Sequence, residues 1–348
     1  MTGGLSRARL RLLDPSGMLD TVLDLPRQVA AGWRLPRPLV GGGPPSAVAV
    51  LGMGGSAIGG DLLSSILLDR GDPPVLVNRD GALPAHVGPE TLVFAASYSG
   101  ETEETLAACR SARRRGCRVV TLSSGGRLAR LDGGRRHVML PAGFRPREAL
   151  AFLLMPMLGV LEDLGAGRFA ADAGEAAGVL SRMRADLAPE RAAPANAARA
   201  VALALRGRSP AVLSGPFLAP AGRRWRAQLA ENAKVLSRGG VLPELAHNDL
   251  AAWLEDPEAA RSAVVLLRDA REDRRSARRW ELLRRLGLGR AGRVIEVRSR
   301  GRGAPARLLS SVYVGDLASV YLAFRRGIDP GPVEAIDRFK RGLAGGRA

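Results

Sequence analysis

The chain has 348 residues, is 46% hydrophobic and carries a formal net charge of +18; that length exceeds what one core usually fills and predicts two domains. No apolar run reaches the roughly 18 residues of a membrane-spanning helix, and residues 1–20 hold arginines but no secretory apolar core, so a cytoplasmic protein with no membrane partner is expected. The charge suggests a polyanion, yet the arginines are interspersed with acids and only 4% of residues are aromatic, which argues against a nucleic-acid partner.

In chain order, residues 18–34 read as a helix interrupted by Pro26, and 41–45 (Gly-Gly-Gly-Pro-Pro) as a linker. Five strand candidates follow at 47–51, 74–78, 92–96, 118–122 and 137–140, with helices at 61–68, 102–115 and 148–164. Most of these strands are continuous apolar runs, which suits a parallel sheet covered on both faces. Residues 165–200 are alanine-rich with helical tendency, broken by Pro189 and Pro194, and a domain boundary falls there. A second alternation predicts strands at 211–214, 262–268 and 293–298 and helices at 222–237, 276–286 and 306–325. A last helix, 332–343, opens with proline at its first turn. The expected fold is α/β, two mostly parallel, doubly wound sheets flanked by helices. Its parts are a first domain over 1–165, a helical linker over 166–195 and a second domain over 196–348. The shared strand–helix order of the halves suggests a duplication. Cys109 and Cys117 have no metal or redox spacing and read as two reduced thiols.

Two motifs carry chemistry in the first half. Gly52-Met53-Gly54-Gly55-Ser56-Ala57-Ile58-Gly59-Gly60-Asp61 follows a strand and precedes a helix. Such a turn exposes backbone N–H groups at a helix start and reads as an anion cradle, with Ser56 its one hydroxyl. It is also a loose dinucleotide fingerprint with Asp80 near the end of the next strand, a weak signal by itself. Ser97-Tyr98-Ser99-Gly100-Glu101-Thr102-Glu103-Glu104-Thr105 follows the third strand and packs three aliphatic hydroxyls, Ser97, Ser99 and Thr102, into its first six positions. Ser99 or Thr102 would serve as a helix cap, but capping needs neither Ser97 nor Gly100. Loops at the carboxyl ends of neighbouring parallel strands share one crevice, so the two motifs would hold opposite sides of one phosphate ligand.

Together these motifs resemble the sugar isomerase (SIS) fold. The further runs Pro146-Arg147-Glu148-Ala149-Leu150, Glu231-Asn232-Ala233-Lys234, Pro243-Glu244-Leu245-Ala246-His247-Asn248-Asp249 and Gly327-Ile328-Asp329-Pro330 narrow the resemblance. They point to the bifunctional phosphoglucose/phosphomannose isomerases and related actinobacterial phosphosugar-isomerase-like proteins, over nearly the whole chain. The resemblance implies two SIS domains, a homodimer, no cofactor and metal-free interconversion of aldose and ketose 6-phosphates. It further implies that Gly55, Ser56, Ser97, Ser99 and Thr102 hold the substrate phosphate. Glu231 would move a proton between C1 and C2, and His247, reaching in from the partner chain, would open the sugar ring. Arg147 would steady the enediolate, and Lys340 would lie near the ring oxygen.

Those residue types suit the reaction. A proton alpha to a carbonyl is weakly acidic, so a positioned carboxylate must take it while a cation stabilises the oxyanion. Ring opening suits a histidine, which trades protons near neutral pH. Of the other histidines, His86 and His137 read as structural. Lys234 and Lys340 are the only lysines in an arginine-rich chain, which suggests a need for a compact ammonium there. Glu231 and Lys234 also read as an ordinary i, i+3 surface pair worth about 0.2–0.5 kcal/mol. Glu101, beside the hydroxyl loop, would weaken anion binding if it pointed inward. Val333 stands where the bifunctional enzymes resembled here carry a threonine, which bears on glucose/fructose activity. The alternative to an isomerase is a catalytically inactive regulatory protein that binds sugar phosphates.

Overall fold

The computed structural model describes residues 7–343. Strands β1 (Ala47–Leu51), β2 (Val75–Asn78), β3 (Thr91–Ala96), β4 (Arg118–Ser123) and β5 (His137–Met139) form one parallel sheet, in the order β2-β1-β3-β4-β5. Strands β6 (Ser209–Ser214), β7 (Arg238–Val241), β8 (Ser262–Arg268) and β9 (Arg293–Arg298) form a second parallel sheet, ordered β7-β6-β8-β9. The second order repeats the first without its last strand, in keeping with a duplicated unit. Every residue of β3 and β8 is buried. Coverage on both faces is why these strands read as unbroken apolar runs rather than alternating ones.

Two long helices fill the middle. Helix Leu150–Asp163 is buried from Leu150 through Leu161, and helix Ala304–Arg325 from Ala304 through Phe324. Helix Ala170–Leu187 packs against Leu25–Trp33 and Ala304–Arg325. One apolar cluster therefore takes in Val48 and Phe94 of the first sheet together with Val212 and Val265 of the second. The outer faces of the sheets carry smaller clusters, one around Leu51 and Leu106 and one around Leu213 and Trp280.

Several boundaries differ from the sequence reading. The helix expected at 61–68 begins at Gly54, because the sheet and its neighbours hold the glycine run helical against its low intrinsic propensity. The helix expected over 222–237 runs Ala219–Glu231 and stops where Lys234 turns left-handed, at φ 55°. β7 is not expected from sequence, since Arg-Gly-Gly-Val has the composition of a turn. The alanine-rich stretch resolves into helices Ala170–Leu187 and Ala197–Leu205, with Pro189 and Pro194 between them. The last helix spans Glu334–Leu343. No described helix is long and apolar enough to cross a membrane.

Candidate active site

The glycine motif is mostly helix rather than loop. β1 ends at Leu51, the chain turns through Gly52 and Met53, and helix Gly54–Arg70 begins with Gly54 at φ 49°. Ser56 lies in the first helical turn and is buried; its Oγ accepts a hydrogen bond from the Tyr98 N–H at 3.3 Å. β3 pairs with β1, so the chain leaving β3 arrives beside this turn. There the Ser97 and Thr102 hydroxyls lie 2.8 Å apart, with Ser97 buried. Thr102 stands at the N-cap of helix Glu103–Arg114 but makes no side-chain capping bond, its hydroxyl being turned to Ser97. Ser99 is exposed, and its Oγ accepts from the Glu101 N–H. Ser56, Ser97 and Thr102 are thus brought into one hydroxyl-lined cradle at a helix start, where the Ser56 N–H itself donates to the Met53 carbonyl oxygen at 3.0 Å.

Two close approaches bind this cradle to the Arg147 segment. A methyl group on Gly55 would lie 2.9 Å from the Pro146 carbonyl oxygen and 3.1 Å from Arg147 Cα, so only glycine lets the helix start sit there. The Tyr98 hydroxyl donates to Pro141 O and accepts from the Phe144 N–H, each at 2.8 Å. Tyr98 therefore links the Ser97–Thr102 loop to the chain leading into Arg147. Nothing in its sequence context gives Tyr98 that role.

Arg147 is buried, 4% exposed, and held on three sides. Its Nε donates to Asn232 Oδ1 at 2.9 Å, and its Nη2 donates to Pro330 O at 3.0 Å and Gly331 O at 2.6 Å. Its Nη1 lies 3.6 Å from Glu231 Oε2. Burial pushes the guanidinium below its usual pKa and the Glu231 carboxylate pushes it back up; arginine remains a cation at neutral pH. Glu231 is the last residue of helix Ala219–Glu231, with its side chain 26% exposed. The surface pair between Glu231 and Lys234 does not form. Lys234 Nζ instead donates to the Glu231 carbonyl oxygen at 2.6 Å and to Pro332 O at 2.7 Å, leaving the carboxylate to Arg147. Lys234 is the one non-glycine residue with positive φ among the described residues, and burial together with Arg147 lowers its pKa.

Residues with no role expected from sequence complete the support. Asn232 is buried and donates to Ser319 Oγ at 2.9 Å while accepting from Arg147. Arg224 pairs with Asp316 at 2.6 Å, both buried, and donates to the Arg147 carbonyl oxygen at 2.7 Å. Burial raises the Asp316 pKa and Arg224 opposes that rise. Arg147 is in this way fixed between the first sheet's loops, the Glu231 helix and the Pro330–Gly331 turn. The signal for Asn232 is its place beside Glu231. Nothing in the sequence singles out Asp316, one residue in a long apolar helix.

Two expected residues join none of these contacts. His247 is exposed on the short helix Leu245–Asn248, and Lys340 is exposed on helix Glu334–Leu343. Neither side chain has a hydrogen bond or ion pair among the described residues. Glu101 is satisfied by its neighbour: it accepts from Arg127 Nε at 2.7 Å and from the Arg127 N–H at 2.8 Å. Hydrogen bonds from Arg127 hold its carboxyl below the usual carboxylate range. His137 bonds Thr121 Oγ1 at 2.9 Å from strand β5, a structural position. Cys109 and Cys117 are buried free thiols, and burial pushes Cys109 up to about 11. Asp80 accepts from the Ala82 N–H in a turn. Among the described residues, no three His, Cys, Asp or Glu side chains gather closely enough to hold a metal ion.

The paired parallel sheets and the cradle at the first helix start define a two-domain SIS protein. The fold matches a glucose-6-phosphate isomerase-like protein from Thermus thermophilus with TM-score 0.65 at 23% identity, covering 97% of this chain and 99% of that one. It also matches the C-terminal domain of a glucosamine-fructose-6-phosphate aminotransferase from Francisella tularensis, with TM-score 0.66 at 15% identity over 90% and 97% of the two chains. Residues 194–343 match the family model for the bacterial phospho-glucose isomerase C-terminal SIS domain. A bifunctional phosphoglucose/phosphomannose isomerase from Caldicellulosiruptor bescii is 35% identical over 337 residues, 94% of this chain and 99% of the relative. One from Aquifex aeolicus is 32% identical over 86% of this chain and 91% of the relative. The chain belongs to the bifunctional phosphoglucose/phosphomannose isomerase family.

Proposed function

We propose that this sugar-phosphate isomerase interconverts mannose 6-phosphate, glucose 6-phosphate or both with fructose 6-phosphate, by metal-free proton transfer through a cis-enediol. The observation that carries this reading is the Arg147–Glu231 pair, with Nη1 3.6 Å from Oε2 and the other guanidinium nitrogens held by fixed acceptors. Glu231 is the base that carries a proton between C2 and C1, and Arg147 faces the oxygen that gains charge in the enediolate. A guanidinium already bonded in place needs no reorganisation as that charge develops. Gly55, Ser56, Ser97, Ser99 and Thr102 hold the phosphate through hydroxyls and helix-start amides. Glu101 does not oppose the anion, since Arg127 neutralises it.

In this reading His247 opens the ring from across a homodimer interface, and Lys340 lies near the ring oxygen. The dimer is supported by the exposure of both side chains and by Ile336 and Phe339, 40% and 68% exposed on the Lys340 helix. Val333 adjoins Pro332, the acceptor of Lys234, so residue 333 borders the site from the C-terminal side. A coupled assay across mannose, glucose and amino-sugar 6-phosphates tests the reading. Turnover of a hexose 6-phosphate that falls by about 10²-fold or more in Glu231→Gln is expected. Ligand-induced thermal stabilisation with no turnover by the unaltered protein would instead establish a binding regulator.

A further inference from the structure

A cleft of about 640 Å³ opens in the second half of the molecule, outside the residues that form the candidate active site. Four arginines line it: Arg206 after helix Ala197–Leu205, Arg208 before β6, Arg293 at the start of β9, and Arg325 at the end of helix Ala304–Arg325. Pro194 and Leu203 add an apolar wall, with Leu203 43% exposed. No acidic residue lines the cleft, and none of the four guanidinia forms an ion pair with a carboxylate among the described residues.

At two other places arginines converge on a carboxylate: Arg79 and Arg223 share Asp61, and Arg268 and Arg284 share Glu296. The cleft has no such carboxylate. The Arg208 guanidinium lies over Gly292, where a methyl group would lie 2.2 Å from its Nη1. Arg325 is half-buried; burial lowers its pKa, and the charges of Arg199 and Arg206 lower it further with no carboxylate opposing them. The two helix C-termini here contribute roughly half a negative charge each, which leaves most of a fourfold positive charge unbalanced. Like charges gathered in one concavity focus a positive field that an anion would relieve.

We propose that this cleft is a second anion site, which takes a small ligand bearing two or more phosphate groups. Guanidinium forks match phosphate oxygens with paired, charge-assisted hydrogen bonds, and the volume is that of a small-molecule pocket. The ligand's phosphates lie among Arg206, Arg208, Arg293 and Arg325, and its remaining part lies against Pro194 and Leu203.

Isothermal titration of the full chain with inorganic tripolyphosphate tests the site. With fructose 6-phosphate present in excess to fill the hydroxyl cradle, one saturable site per chain is expected. Affinity should fall by about tenfold or more in the double variant Arg206→Gln/Arg293→Gln. It should be unchanged in Ser56→Ala, and unchanged in Arg274→Gln/Arg275→Gln, which removes the same charge from an exposed helix elsewhere. The proposal is overturned by absence of saturable binding, by loss of binding in Ser56→Ala, or by equal weakening in the two double variants. Tighter, steeply salt-dependent binding of a short single-stranded oligonucleotide would overturn it in favour of a nucleic-acid surface. Because Arg206 and Arg293 are exposed, their replacement leaves the core intact. None of these readouts depends on isomerase activity.

Discussion

Arg147 commits Nε and Nη2 to an amide side chain and two carbonyl oxygens, so only Nη1 is left to face Glu231. Arg147 has a second arginine, Arg145, two residues before it. Partners separate them: Arg145 pairs with Glu148 three residues on, whereas Arg147 is buried against the second half of the chain. His137 shows the opposite case, a histidine whose titration belongs to the fold. Burial lowers its pKa, so the folded state binds a proton less readily than the unfolded chain. Its contribution to stability is therefore complete above the unfolded value of about 6.5 and is lost progressively as pH falls below it. Urea midpoints between neutral and mildly acidic pH should drop less steeply for His137→Gln than for the unaltered protein. Parallel profiles would remove His137 as the cause.

At the scale of elements, most strands were legible and the start of the first long helix was not. The apolar runs of β1, β3 and β8 announce themselves because both faces of each sheet are covered. The start of helix Gly54–Arg70 was hidden because glycine-rich sequence reads as loop, although close packing is what demands the glycines. Gly55 makes this measurable. Its Cβ would meet Pro146 O at 2.9 Å, a backbone atom that moves only with the Arg147 segment. Gly55→Ala should keep the fold and displace Arg147 relative to Glu231, lowering kcat by roughly tenfold to a hundredfold, in line with the sensitivity of catalysis to placement errors of about 1 Å. Unchanged kcat in steady-state assays would show that the segment gives way without consequence. β7 and the left-handed Lys234 were equally hidden. Both depend on contacts from distant chain: β7 pairs with β6, and Lys234 reaches Pro332 across 98 residues of sequence.

For the whole molecule, the sequence foretold two parallel α/β units. It did not foretell that the units would share one core, or that Arg147 of the first would be clasped by Asn232, Arg224 and Pro330 of the second. Contacts of such long sequence separation leave no local pattern. The same limit applies to His247, whose exposure in one chain agrees with a role completed by a partner. Mixing Glu231→Gln with His247→Ala subunits tests this. In a two-fold dimer with shared sites, each hybrid keeps one intact site, so random mixing should restore about a quarter of full activity from two inactive variants. No recovery would place both residues' functions within one chain.

The most direct test of the central claim, proton transfer by Glu231, is isomerisation of fructose 6-phosphate in D₂O followed by NMR. The account predicts deuterium at C2 of the aldose 6-phosphate formed by the unaltered protein, and loss of both turnover and label in Glu231→Gln with sugar-phosphate binding retained. Turnover or labelling that persists in Glu231→Gln would contradict it.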